Sequence, residues 1–216
     1  MIFTARELQE KCREQNVGLY TTFIDLTKAF DTVSREGLWK VMSQFGCPTK
    51  FINMVRQFHD GMQASVRDDG KSSKPFPVTN GVKQGFSMYF TAMLSDAFRE
   101  DDDVGIKFHS RIDGGFYKPQ KLKTHSKVLV DSLRDVLFAD DCALCTTTQS
   151  DMQHAVDLFA KACKDFFGLT ISLKKTKVMY QPPPGEPYVE PYIIIHGEKA
   201  SCNCQISLSW YQTQLP

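Results

Sequence analysis

The spacing of apolar residues along the chain predicts helices and strands in mixed order, without an internal repeat. Residues 1–17 place apolar side chains near one face among Glu, Lys and Arg, as in a surface helix, and residues 20–26 form a β-rich run typical of a strand. Further helices are predicted where apolar residues recur at intervals of three and four, from Leu38, Phe51, Phe90 and Met152. Regular strand–helix alternation is too sparse for a doubly wound sheet, so the pattern predicts an α+β fold.

Turn-forming residues between apolar runs predict hairpins. Asp68-Asp69-Gly70 separates two short β-rich runs, at 62–66 and 76–78. A second hairpin is predicted around 113–115, and residues 136–144 form an apolar run that contains two adjacent carboxylates. Ser34 is an expected helix N-cap, and Gly168 stands where the helix from Met152 should end.

Composition narrows the class of protein. Of the 216 residues, 42% are hydrophobic and 24% charged, which excludes wholesale disorder, and the net charge of +1 excludes nucleic-acid binding by bulk charge alone. No apolar run approaches the ~20 residues that span a bilayer, so no membrane partner is expected. Early charges at Arg6 and Glu7 argue against a signal peptide, and we expect an intracellular protein, nuclear or cytoplasmic and not secreted.

The seven cysteines are an odd number at scattered positions, which favours a reducing compartment over a disulfide framework. Cys142, Cys145, Cys202 and Cys204 are conceivable zinc ligands. A second Cys-x-x-Cys pair and a histidine at ligand spacing are missing, so buried free thiols are the favoured interpretation.

The most informative segment is Phe138-Ala139-Asp140-Asp141, two adjacent carboxylates inside an apolar stretch. Burying uncompensated charge costs on the order of several kcal/mol or shifts the pKa, and a divalent cation is a natural compensation. The simpler alternative, an Asp-Asp turn between two strands, is favoured if the dipeptide is taken alone.

A second carboxylate, Asp25, ends an apolar strand far upstream and has a bulky aromatic residue, Phe30, five residues on. Two acids brought side by side at strand ends can hold two cations about 4 Å apart, the arrangement used for in-line phosphoryl transfer. The combination of Asp25 with Asp140 therefore indicates metal-dependent chemistry more strongly than either acid alone.

Four ordered motifs resemble those of reverse transcriptases, and most closely those of non-LTR (LINE-type) retrotransposons. They are Asp25-x-x-x-Ala-Phe-Asp31, Gly81-Val-Lys-Gln-Gly85, Phe138-Ala-Asp-Asp141 and Gly168-Leu-Thr-Ile-Ser-Leu-Lys-Lys-Thr176. The resemblance covers roughly residues 1–180. It implies a right-hand polymerase palm, an antiparallel sheet backed by helices, that extends a DNA primer on an RNA template with deoxynucleoside triphosphates. Mg²⁺, or alternatively Mn²⁺, is the implied cofactor, and no stable protein partner is predicted.

The resemblance also implies roles for single residues. Asp25 and Asp140 resemble the metal-binding pair, and Asp141 the acid that accompanies them. Lys175 resembles the lysine that protonates departing pyrophosphate as a general acid.

On the nucleotide side, Phe30 resembles the aromatic gate that would clash with a ribose 2′-OH. Gln84 and Gly85 resemble the loop that touches the incoming nucleotide and the template. From the residues alone, Phe30 is equally compatible with an ordinary core position, and the glycines with an ordinary turn.

A basic stretch lies between residues 107 and 127. Against Asp113 it carries the cations Lys107, Arg111, Lys118, Lys121, Lys123 and Lys127, a local charge of +5. The stretch is either a contact to nucleic-acid phosphates or a solvated hairpin.

Three departures from the family pattern predict an impaired or inactive enzyme. Residues are missing between Gly85 and the helix that follows, most of the fingers region is expected to be absent, and the thumb is expected to be missing. We predict a partial reverse transcriptase domain at 1–180, a proline-rich linker at 181–192 and an aberrant tail at 193–216. The alternatives are a non-catalytic nucleic-acid-binding remnant and an inert pseudogene product.

Overall fold

A five-stranded sheet forms the centre of the computed structural model, which describes residues 2–82, 88–99, 105–111, 128–164 and 168–203. Its strands lie in the order β13 (Ser201–Asn203), β10 (Lys177–Gln181), β1 (Leu19–Ile24), β9 (Asp141–Thr146) and β8 (Asp135–Phe138). Neighbouring strands are antiparallel, except for the parallel pair of β10 and β13. The protein is therefore a mixture of helices with a mainly antiparallel sheet, as the pattern of apolar residues predicts.

Helices cover both faces of this sheet because side chains alternate along each strand. The helices are α1 (Ile2–Glu14), α2 (Arg35–Gln44), α3 (Thr49–Gln57), α4 (Met88–Ala97) and α5 (Gln149–Ala162). Ile24 and Cys142 belong to the main apolar cluster, which includes residues of α4 and α5. Phe23 and Ala143, the next positions along the two strands, pack with Ala5 of α1 on the opposite face.

The predicted helices are confirmed, and side-chain hydroxyls cap the first turns of two of them. The Ser34 hydroxyl accepts a hydrogen bond from the Gly37 amide and caps α2. Thr148 caps α5 in the same way, through the Asp151 amide.

Four further strand pairs among the described residues lie outside this sheet. The paired strands are β2 (Gln63–Ala64) with β5 (Phe76–Pro77), β3 (Arg67–Asp68) with β4 (Lys71–Ser72), β6 (Ile106–Arg111) with β7 (Val128–Leu133), and β11 (Ile194–Ile195) with β12 (Glu198–Lys199). The turn predicted at residues 68–70 joins β3 to β4, inside the wider pair of β2 and β5. The paired region therefore extends inward, toward the turn, beyond the two predicted runs at 62–66 and 76–78.

Residues 193–203 pack against the rest of the protein. Ile193, Ile195 and Ala200 are buried in the main cluster. The Gln153 side chain of α5 donates to the Ile194 carbonyl at 2.9 Å and accepts from its amide at 2.8 Å. The predicted division into domain, linker and tail stays a prediction, and its last part, 204–216, lies outside the described residues.

Within the described ranges, no helix is long and apolar enough to cross a membrane.

Candidate active site

The ends of β1 and β9 bring acidic residues to the same edge of the sheet. Ile24 pairs with Cys142, so the next opposed positions are Asp25 and Asp141. Phe138 pairs with Asp141 across the β8–β9 hairpin, which leaves Ala139 and Asp140 as its two turn residues. Strand register thus brings Asp25, Asp140 and Asp141 to one edge of the sheet despite their wide separation in sequence.

The turn that presents Asp140 holds an unusual backbone conformation. Ala139 has a φ of 59°, in the left-handed region that residues with a Cβ avoid at a cost of about 1–2 kcal/mol. Phe138 beside it is 61% exposed, although the sequence places it in an apolar run. Two-residue hairpin turns require positive φ, and this requirement explains why Ala139 adopts it.

Asp25 is held almost out of solvent, with a residue exposure of 8%. Its amide donates to the Thr176 hydroxyl at 3.4 Å, and its carbonyl accepts from the Ser172 amide at 2.8 Å. The Lys175 ammonium lies 3.6 Å from the carboxylate oxygen Oδ1. Both ends of the Asp25 backbone are therefore fixed by the segment that carries Lys175.

Burial raises the pKa of Asp25 above its ordinary value because it penalises the charged form. The Lys175 ammonium opposes this rise in the pKa, and the negative charge of Asp140 adds to it. The structure thus brings Asp25, Asp140 and Lys175 within electrostatic reach of one another.

Lys175 owes its position to a tight turn after the short bridge between Leu26 and Ile171. Its amide donates to the Ser172 carbonyl at 3.1 Å, and the Thr176 amide donates to the same carbonyl at 2.8 Å. The side chain remains 63% exposed, so it has both a carboxylate partner and access to solvent.

Asp141 is half-buried at the first position of β9. Among the side chains that the structure describes, no three of the His, Cys, Asp or Glu type form a metal-binding group. The assignment of Asp25, Asp140 and Asp141 as a metal-binding set stays a prediction. Asp25 and Asp140 remain a pair of hard oxygen donors, which suits a cation that takes one or two carboxylates and fills its other positions with water and phosphate.

Phe30 lies in the main core with 8% of its surface exposed. Its ring meets that of Phe90 edge to face, with the centroids 5.3 Å apart. The position fits the ordinary core interpretation, and its role beside a nucleotide stays a prediction.

Gly81 lies directly on the turn that carries Phe30. The Gly81 amide donates to the Val33 carbonyl at 3.1 Å, and the Val82 amide donates to the Phe30 carbonyl at 2.8 Å. With φ at 81°, a Cβ on Gly81 would stand 2.7 Å from the Asp31 carbonyl oxygen. Only glycine fits this approach. Gln84 and Gly85, which follow, lie outside the described residues.

The family model for "Reverse transcriptase (RNA-dependent DNA polymerase)" matches residues 2–203. The chain belongs to the reverse transcriptase family. It is also 35% identical, over 142 residues, to the Retrovirus-related Pol polyprotein from type-2 retrotransposable element R2DM of Drosophila melanogaster. The match takes in 64% of this chain and 12% of that relative, so the chain spans a small part of the relative's length. These similarities confirm the prediction of a reverse transcriptase domain of the non-LTR retrotransposon type.

Arg35 is a residue of this reverse transcriptase domain that the motifs do not reveal. Its guanidinium donates to the Gly81 carbonyl at 2.8 Å, the His59 carbonyl at 2.8 Å and the Asn80 carbonyl at 3.5 Å. The sequence signal is weak: a cation in the first turn of a helix is unfavourable to the helix dipole unless another partner compensates it. Arg35 follows the predicted cap Ser34 and fits that description.

The basic stretch of the reverse transcriptase domain is described only in part. Lys107 is exposed on β6, and Arg111 is the last residue of that strand. The other predicted contacts, Lys118, Lys121 and Lys123, lie outside the described residues.

The cysteine geometry argues against the zinc alternative. Cys142 and Cys145 lie three positions apart on β9 and belong to separate apolar clusters. Burial raises the pKa of Cys145 to about 12 and that of Cys142 well above its ordinary value. Both are therefore protonated core thiols that face away from each other, and Cys204 lies outside the described residues.

Proposed function

We propose that this domain is the palm of an RNA-directed DNA polymerase, which extends a DNA primer on an RNA template with deoxynucleoside triphosphates. The observation that carries the proposal is the grouping of Asp25, Asp140 and Lys175 at one end of the sheet. Acids on two strand ends beside a solvent-accessible ammonium suit phosphoryl transfer, in which charge develops on both the attacking and the leaving oxygens.

Asp25 and Asp140 would hold divalent cations, with Mg²⁺ the expected ion and Mn²⁺ the alternative. When bound, such cations would activate the primer 3′-hydroxyl and neutralise the triphosphate. Asp25 suits this task, since burial penalises its charged form and raises its pKa, and added positive charge would offset that penalty. Asp141 is proposed as the accompanying acid on the same edge.

The remaining roles follow from position. The Lys175 ammonium, held near Asp25 yet 63% exposed, can donate a proton to an oxygen of departing pyrophosphate. Phe30, fixed edge-on by Phe90, supplies a steric boundary that admits deoxyribose and excludes the ribose 2′-OH. Gln84 and Gly85 are proposed to contact the nucleotide and the template.

The test is extension of a DNA primer on an RNA template with Mg²⁺, comparing the unsubstituted chain with Asp140→Asn. Asp60→Asn, at an exposed position on another segment, is the matched control. Extension by the chain and by the control, with loss in Asp140→Asn, supports the proposal.

Extension that survives Asp140→Asn contradicts the proposal. So does salt-sensitive binding of RNA or DNA with no extension at any enzyme concentration, which instead supports a non-catalytic binding remnant.

A further inference from the structure

Three separate segments meet at one side chain beside the proposed nucleotide site. Arg35, the first residue of α2, reaches the carbonyl of His59 after α3 and the carbonyls of Asn80 and Gly81 in the loop before α4. A guanidinium presents its donors in a fixed planar fork, so it can satisfy several carbonyls while holding their relative positions.

The held loop is in turn bonded to the segment that carries Phe30. The Gly81 amide donates to the Val33 carbonyl, and the Gly81 carbonyl accepts from the Arg35 guanidinium, so both polar backbone groups of Gly81 are hydrogen-bonded. The next residue, Val82, donates to the carbonyl of Phe30 itself. Because a Cβ on Gly81 would collide with Asp31, the two segments are as close as backbone atoms allow.

We propose that Arg35 is a positioning residue for nucleotide selection, which clamps Gly81–Val82 onto the Phe30 turn and so fixes the boundary against the ribose 2′-OH. This inference rests on the proposed function for the chemistry that it serves. Arg35 itself acts through the loop and is not assigned a contact with substrate.

The clamp predicts an effect on selectivity that a general loss of stability does not produce. In Arg35→Ala, the loop loses its fixed donors and the Phe30 turn loses a rigid neighbour. We expect the ratio of kcat/KM for a deoxynucleotide to kcat/KM for the matching ribonucleotide to fall by about tenfold or more. A smaller folded fraction would lower both values equally and leave the ratio unchanged.

Two further variants make the test more specific. Arg35→Lys keeps the charge but not the planar fork, so it should recover only part of the ratio. Arg56→Ala removes an exposed arginine that lies over the Trp39 ring and should leave the ratio unchanged. Full recovery in Arg35→Lys would show that charge alone suffices and would overturn the clamp.

A readout independent of polymerase activity separates this inference from the proposed function. Amide hydrogen exchange at Gly81 and Val82 should quicken in Arg35→Ala and not in Arg56→Ala. Unchanged exchange overturns the clamp, and quicker exchange with an unchanged ratio overturns the role in selection. If the unsubstituted chain extends no primer, the proposed function and the selection role both fail, whereas the exchange data still decide whether the clamp exists.

Discussion

The two sides of the candidate site are built in different ways. On the acid side, Asp25 and Asp140 take their places from the register of a continuous antiparallel sheet, and Lys175 is added by a tight turn. On the nucleotide side, Phe30 and Gly81 lie in irregular segments joined by single backbone hydrogen bonds and by Arg35.

The acid side would therefore contribute charge to the proposed site, and the nucleotide side would contribute its shape. The acid side carries the proposed chemistry at the end of a framework held by backbone hydrogen bonds, which do not involve the charge of a side chain. On the nucleotide side, the described geometry at Phe30 and Gly81 depends on close backbone approach. Substitutions should therefore remove activity without unfolding on the first side, and disturb the fold on the second.

The largest effect is expected for Asp25→Asn. Loss of the carboxylate should lower kcat/KM for primer extension by on the order of a thousandfold, because the charge that would bind the cation is gone. The size and shape of the side chain are retained, so the thermal unfolding transition should remain cooperative. Steady-state kinetics check the expected loss of activity, and a thermal melt checks the retained cooperativity, with Asp60→Asn as the control for both.

A melt that becomes uncooperative in Asp25→Asn would contradict the contrast between the two sides, since it would show that the acid is part of the framework.

Gly81→Ala should give the largest loss of stability on the nucleotide side. The added Cβ would stand 2.7 Å from the Asp31 carbonyl oxygen and 2.9 Å from that of Phe30, at a φ of 81°. We expect a loss of about 2–4 kcal/mol in the free energy of unfolding, measured by chemical denaturation.

Gly46→Ala is a matched control for the backbone alone. Gly46 has a φ of 75°, and no atom lies within 4 Å of the place that an added Cβ would occupy, so a loss of about 1 kcal/mol is expected. Equal losses at the two glycines would show that the close approach to the Phe30 turn contributes nothing.

The same contrast governs what the sequence can predict. Helices α2 and α5 follow from apolar periodicity, helped at α2 by the capping hydroxyl of Ser34. Asp25 and Asp140 gain weight only in combination, and Lys175 is indicated only by the resemblance of the ordered motifs to those of reverse transcriptases. The Arg35 contacts are less visible, because they go to backbone carbonyls, which any sequence possesses.

Segments held by long-range packing are also hard to foresee. The run from 182 to 191 is rich in proline and predicts a linker, yet Ile193 and Ile195 beyond it are buried. The hydrogen bonds that hold this segment involve Gln153, a residue on the polar side of α5 that periodicity does not single out. The packing of residues 193–195 is therefore set by their contacts with α5, and neither segment alone predicts it.

Lys175→Met should lower kcat by about 10- to 100-fold through loss of the proposed proton donor. Because the Lys175 ammonium lowers the pKa of Asp25, its removal should also move the acidic limb of the pH–rate profile upward. Lys174→Met, at the exposed neighbouring position, is the control for charge alone. A fall in kcat with an unmoved acidic limb would mean that Lys175 does not act on Asp25.

The smallest effect is the pH dependence of stability. The pKa of Asp25 is raised in the folded state, so the folded protein binds this proton more tightly than the unfolded chain does. The contribution of Asp25 therefore becomes less favourable as pH rises from its ordinary value of 3.8 through the raised pKa, and is constant above it. Asp25→Asn carries no such penalty and should be more stable than the unsubstituted chain at neutral pH, by a margin that shrinks toward acid pH. Denaturant midpoints across that pH range measure the margin, and an Asp25→Asn protein less stable at neutral pH would show that the ion pair with Lys175 outweighs burial.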